Sequence, residues 1–150
     1  MSFKIGVNIT RYYSINFDLP RKKKRFIKFI IIHYTGMKKE SDAINMLLKL
    51  SGKTHLVMTA VTIGIMTEEE AKFHTISVTS RVEFAKLTTS DCKEYCDTGE
   101  PFDKAGGYGI QGYGSAFIRK LNGSYSNVVG LPIHEVVQLL KELEIPYWSK

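Results

Sequence analysis

At 150 residues and 43% hydrophobic content, the chain has the length and composition of one soluble globular domain with a real core. Its longest apolar run, Phe29 to Ile32, is far too short to cross a membrane. The N-terminus lacks the apolar stretch and small-residue cleavage site of a signal peptide, so a cytoplasmic location is expected. The net charge of +6 is unevenly spread. Lys4, Arg11, Arg21, Lys22, Lys23, Lys24, Arg25 and Lys28 stand against the single acid Asp18 in this opening segment, and the remainder is close to neutral. The run Arg21 to Arg25 is either a solvated linker or a contact for an anionic polymer, but the nearby Tyr12, Tyr13 and Phe17 belong to no recognisable nucleic-acid module.

In chain order, residues 1–25 are polar, aromatic and basic with weak periodicity, the pattern of an irregular arm. Phe26 to His33 is short and β-branched and reads as a buried strand. Ser41 is placed to cap a helix running to about Leu50, with Ala43, Ile44, Leu47, Leu48 and Leu50 on its apolar face and Gly52 as its stop. Thr54 to Met66 reads as a long strand and Thr67 to Glu70 as a turn. Phe73 to Leu87 then returns as the second strand of a hairpin. Ser90 is the expected cap of a short helix ending near Gly99. Ser115 to Leu121 and Tyr125 to Val129 are expected to form a second hairpin turning at Asn122-Gly123. Pro132 suits the first turn of a final helix through Leu143, with Ile133, Val136, Val137 and Leu140 facing the core. The whole reads as an α/β chain with a mostly antiparallel or mixed sheet. Cys92 and Cys96 are the only cysteines; they stand one helical turn apart, and two ligands do not make a zinc site.

The stretch Asp103 to Gly114 carries the densest information, with five glycines between Gly106 and Gly114 directly after Lys104. Glycine permits positive φ and removes the Cβ that keeps a ligand away from the backbone. Successive amides in such a turn form a concavity for an anion, and Lys104 adds a cation able to pair with phosphate. The alternative is a tight turn whose glycines serve backbone geometry alone.

The longer segment Thr98-Gly99-Glu100-Pro101-Phe102-Asp103-Lys104-Ala105-Gly106-Gly107-Tyr108-Gly109-Ile110-Gln111-Gly112 resembles the signature of the Maf family of nucleoside triphosphate pyrophosphatases. Two further stretches fit the same family in the same order: Ala43 to His55 and Gly123 to Pro132. The resemblance covers residues 40–143. It implies a Maf/ITPase-like fold, a mixed sheet with flanking helices, truncated at its N-terminal side. The family's opening Ser-x-x-Arg-Arg turn, its Ala-Asp-Thr-Val-Val strand with the general-base aspartate, and its Gly-Lys-Pro lysine cannot be read here, so no catalytic residue is identified. The implied reaction cleaves a nucleoside triphosphate between the α- and β-phosphates, with a divalent Mg or Mn ion as cofactor. Gly107-Tyr108-Gly109-Ile110-Gln111-Gly112 is typical of the branch acting on dTTP and UTP, with modified nucleotides as further substrates. Gln111 is the expected base-recognition residue, because an amide both donates and accepts along a pyrimidine edge; the alternative is a glutamine that satisfies the loop backbone. Lys104 is a phosphate contact. Asp103 is its orienting partner, a carboxylate on the metal side, or half of a surface ion pair. Glu100 is a weaker acidic candidate, and Glu68 to Glu70 read as a solvated turn. Family members are commonly dimers, which makes a homodimer the expectation.

Residues 14–37 resemble a different family. Ser14-Ile15-Asn16-Phe17-Asp18, a basic run, then Phe29 to Met37 is similar to the opening of zinc-dependent N-acetylmuramoyl-L-alanine amidases, in which the histidine after the strand, here His33, ligates zinc. A catalytic zinc needs about three protein ligands and an open position, and the downstream sequence supplies no amidase-like partners. Residues 1–37 are thus an amidase-like arm and strand, and 38–150 a partial Maf-like domain, the arrangement left by a gene fusion. The strand Phe26 to Ile32 is expected to fill the sheet position of the missing Maf strand. The leading reading is a pyrophosphatase impaired by its lost front. The alternatives are a non-catalytic remnant binding nucleotide or anionic polymer, and an amidase.

Overall fold

A computed structural model describes residues 39–65 and 70–148, together with the backbone of Phe26–Ile30 and Met66. The arm expected over residues 1–25, His33, and residues 67–69 of the expected turn lie outside the described residues. The chain is α/β. Four strands, β1 (Phe26–Ile30), β2 (Thr54–Met66), β3 (Ala71–Phe84) and β4 (Ile118–Asn122), form one sheet in sequence order. Both β1–β2 and β3–β4 pair antiparallel. The described residues divide into two compact units, 39–59 with 78–132, and 26–30, 60–66 and 70–77 with 133–148.

The first unit opens with α1 (Glu40–Leu50). Glu40 and Asp42 sit in its first turn and Lys49 in its last, each sign matching the helix dipole. Ala43 and Leu47, four apart, are fully buried, and Ile44, Leu48 and Leu50 widen that stripe, as the periodicity predicts. Ser41 is not the cap: Lys39 holds the N-cap position with no side-chain hydrogen bond, and the helix begins one residue ahead of the serine.

Helix α2 (Thr89–Asp97) also starts earlier than Ser90 suggests. Thr88 and Asp91 form a reciprocal capping box, with Asp91 N donating to Thr88 Oγ1 at 3.2 Å and Thr88 N to Asp91 Oδ2 at 2.7 Å. Ser90 bonds Glu94 instead. The two helices close over Val82 and Phe84 at the end of β3. Leu47, Val82, Phe84, Cys92, Tyr95 and Tyr108 form the core. Burying a side chain such as Phe84 contributes about 1.5–3 kcal/mol.

β4 pairs along β3 from Arg81↔Asn122 to Glu83↔Lys120, and a bulge between Glu83 and Phe84 resets the register to Phe84↔Ile118. The second hairpin expected at Asn122-Gly123 does not form. Tyr125–Val129 is a short helix, α3, because Ser124 accepts from Asn127 N at 3.2 Å and caps it. Asn127 is fully buried, and its Nδ2 donates to Val57 O at 3.1 Å and to Ser80 Oγ at 2.8 Å.

In the second unit β1 runs along the far end of β2, from Phe26↔Met66 to Ile30↔Thr62. Thr62 and Thr75 hydroxyls meet at 2.9 Å across β2 and β3. Helix α4 (Ile133–Glu142) buries Val136, Leu139 and Leu140. Ile133, expected in the core, is 56% exposed, and Leu139 takes the inward position. The helix ends with Ile145 N donating to Leu140 O and Glu144 N to Lys141 O, a Schellman closure. The residue in the left-handed position of that closure is Glu144, at φ 54.

Candidate functional site

The site grows from the C-terminal end of α2. Gly99, at φ 77, turns the chain out of the helix into a 3-10 turn at Glu100–Asp103, with Pro101 in its first positions. This reversal brings Glu100 back beneath Tyr95. The Tyr95 hydroxyl donates to Glu100 Oε1 at 2.8 Å. Gly114 N donates to the same oxygen at 3.1 Å, and Tyr113 N donates to Oε2 at 2.7 Å. Gly109 N completes the set by donating to the Tyr95 hydroxyl at 3.1 Å.

The glycines follow from this arrangement. A Cβ on Gly112 would overlap the Glu100 carboxylate, and one on Gly109 would lie 2.8 Å from Glu100 Oε1. The amide concavity read from the sequence is therefore real, but a side chain of this same chain fills it. Gly112 N donates to Gly109 O at 3.3 Å, closing a turn with Ile110 and Gln111 at its corners. Gln111 is exposed there, on backbone anchored at both ends by Glu100 and Tyr95.

Lys104 Nζ and Asp103 Oδ1 form an ion pair at 2.5 Å, with the Asp103 side chain 75% exposed. A surface ion pair is one of the roles open to Asp103, and the pair also places it as the partner of Lys104. Such a pair adds little stability, but it holds Lys104 beside the loop, where a Cβ on Gly109 would lie 3.3 Å from Lys104 Cε.

Electrostatics follow the same contacts. Burial raises the Glu100 pKa, but the hydrogen bonds from Gly114 N, Tyr95 and Tyr113 N, with the Lys104 charge, outweigh it and leave the carboxyl below its ordinary value. Burial and the bond to Glu100 push the Tyr95 phenol well up. Beneath the loop, His55 Nε2 and the Tyr108 hydroxyl meet at 2.8 Å, and His55 Nδ1 is buried without a hydrogen-bond partner. Burial lowers the His55 pKa and raises that of Tyr108 to about 12. Phe84 stands edge-on to both rings. Cys92 and Cys96 are buried, free thiols whose pKa values burial raises, which disfavours the thiolate.

The described residues do not by themselves form a divalent-metal site. Among them no group of three or more His, Cys, Asp or Glu side chains is placed to hold a metal ion. The Glu100 carboxylate already accepts three hydrogen bonds, and Asp103 is paired with Lys104. Among the described residues, no helix is long and apolar enough to cross a membrane.

The structure thus places Gln111, Lys104 and Asp103 on one loop system, while the His33 and Arg21 to Arg25 readings lie outside the described residues. Sequence reasoning did not single out Tyr95 or the His55–Tyr108 pair, and it gave Glu100 only as a weaker acidic candidate. The one signal for Glu100 was its position between a helix-terminating glycine and a proline.

A family model described as Maf-like protein matches residues 29–143. A protein of Saccharophagus degradans named dTTP/UTP pyrophosphatase is 50% identical over 110 residues, 73% of this chain and 50% of that protein. One of Vibrio vulnificus with the same name is 51% identical over 102 residues, 68% of this chain and 53% of its own length. A third, from Pseudoalteromonas atlantica, is 46% identical over 79% of this chain and 61% of itself. The chain thus spans about half the length of the curated relatives it matches. The match takes in α1, β2, the glycine-rich loop and α4, and it reaches forward into β1. The chain belongs to the Maf-like protein family.

Proposed function

We propose that the chain binds dTTP and UTP through the Gln111 turn and cleaves them between the α- and β-phosphates, more slowly than a full-length relative. One observation supports this above the others. Gln111 is exposed at the corner of a turn whose backbone Glu100 pins, in a chain 50% identical to a protein named dTTP/UTP pyrophosphatase. An amide at such a corner can donate and accept together, which the edge of uracil or thymine requires. Lys104 pairs with a substrate phosphate, exchanging Asp103 for it. Magnesium or manganese enters with the triphosphate. The slower rate follows from the aspartate motif that cannot be read in this chain, since general acid–base catalysis alone contributes about 10²–10⁴-fold. A cytoplasmic location and a homodimer belong to the same proposal.

Pyrophosphate release from UTP and dTTP with Mg²⁺ or Mn²⁺, for this chain and for Gln111→Ala, tests it. The expected result is slow release that falls further in the variant. A folded protein that neither releases pyrophosphate nor binds UMP would sink the proposal.

A further inference from the structure

The amides of a glycine-rich loop are the usual seat for a substrate phosphate. In this chain Tyr113 N and Gly114 N point at Glu100, and Gly109 N points at Tyr95, which in turn donates to Glu100. A single carboxylate therefore satisfies, directly or through one hydroxyl, donors at three points along six consecutive residues. Those residues include Gln111. The lack of a Cβ on Gly109 and Gly112 admits the carboxylate to this position. Its direct partners come from two places, Tyr95 in the last turns of α2 and the Tyr113 and Gly114 amides just past the turn that carries Gln111, while Gly109 N at the start of that turn is reached through the Tyr95 hydroxyl.

We infer that Glu100 is a positioning residue: its carboxylate is the resident anion of the glycine-rich loop, excluding phosphate from the Tyr113 and Gly114 amides and fixing the turn that presents Gln111. The part concerning Gln111 rests on the proposed nucleotide binding; the part concerning the anion seat does not. A glutamine at this position would turn one of the two acceptor oxygens into a donor facing an N–H or O–H group, and a glycine would leave the seat vacant.

The experiment uses the full chain and follows its amide resonances by two-dimensional ¹H–¹⁵N spectroscopy. In the wild type, the Tyr113 and Gly114 amide protons should move together as Glu100 is protonated, and inorganic phosphate at neutral pH should leave them in place. In Glu100→Gln they should sit away from the wild-type neutral position at every pH. In Glu100→Gly, added formate should return them toward the wild-type position. The same variant should bind UMP about tenfold more weakly, with formate recovering most of the loss, which a purely structural defect would not allow. Amides that ignore the carboxyl titration, or that shift with phosphate in the wild type, would overturn the inference. So would a Glu100→Gly protein indifferent to formate. Should that variant fail to fold, the wild-type titration and phosphate addition decide alone. If the wild type does not bind UMP, the proposed function fails while the amide resonances still judge Glu100.

Discussion

The Tyr95 hydroxyl stands between two partners, donating to Glu100 Oε1 at 2.8 Å and accepting from Gly109 N at 3.1 Å. It links the α2 core to one side of the glycine-rich loop directly, at Gly109, and to the other through Glu100, which accepts from Tyr113 N and Gly114 N. Tyr95→Phe keeps the ring and its edge contact with Phe117, but it strands a buried amide and removes one donor from the carboxylate. The expected cost is about 1–3 kcal/mol, read from urea denaturation, with faster hydrogen exchange at Gly109.

Acid should weaken the fold in two separate windows. Burial lowers the His55 pKa from 6.5, so the neutral ring is the folded form. Its contribution is complete above 6.5 and lost as pH falls from there through the folded value. The Glu100 pKa lies below 4.5, so its contribution is present above 4.5 and lost below it. Denaturation midpoints at pH 7.5, 5.5 and 3.5 separate the two. His55→Gln should flatten the first interval relative to wild type, and Glu100→Gln the second.

Gln111→Ala should leave stability within about 0.5 kcal/mol, because the side chain is exposed at a turn corner. Its effect should fall on nucleotide binding, weakening UMP and dTMP alike by about 1–3 kcal/mol in calorimetric titration. Equal affinity for the variant would remove Gln111 from base recognition.

Glu144 occupies the left-handed position that ends α4, at φ 54. A side chain there costs about 1–2 kcal/mol in backbone sterics, part of which glycine returns as unfolded-state entropy. Glu144→Gly should therefore raise stability by about 0.5–1 kcal/mol, measured as a shift in denaturation midpoint without change in slope.

The parts of the fold that the sequence reveals are those with long, regular periods. Strand β2 runs from Thr54 to Met66 as the sequence reading expects, and α1 buries the expected stripe. The failures are local contests. Tyr125, Val128 and Val129 have strand-forming side chains, yet Ser124 and the buried Asn127 draw this segment into a helix. Ser90 is as good an isolated cap as Thr88, and only Asp91, reaching back to Thr88, decides between them. In the site, the glycine spacing reveals a loop but not what fills it. Glu100 meets Tyr95 across a helix end and meets Tyr113 and Gly114 across two further turns. No periodicity joins such positions.

Asn127 has one amide and uses it on two strands at once, Val57 O of β2 and Ser80 Oγ of β3. Phe84 N bonding Lys53 O, in the same unit, fits the alignment in which Val57 lies opposite Ser80. Sliding β2 by one residue would turn Leu56 and Met58, now exposed, toward the core and expel His55 and Val57. It would also carry Val57 O out of reach of the amide. The short helix α3 is thus a gauge for strand alignment: it seats only when the hairpin has paired correctly, so misaligned chains should lack it and reveal themselves by its absence.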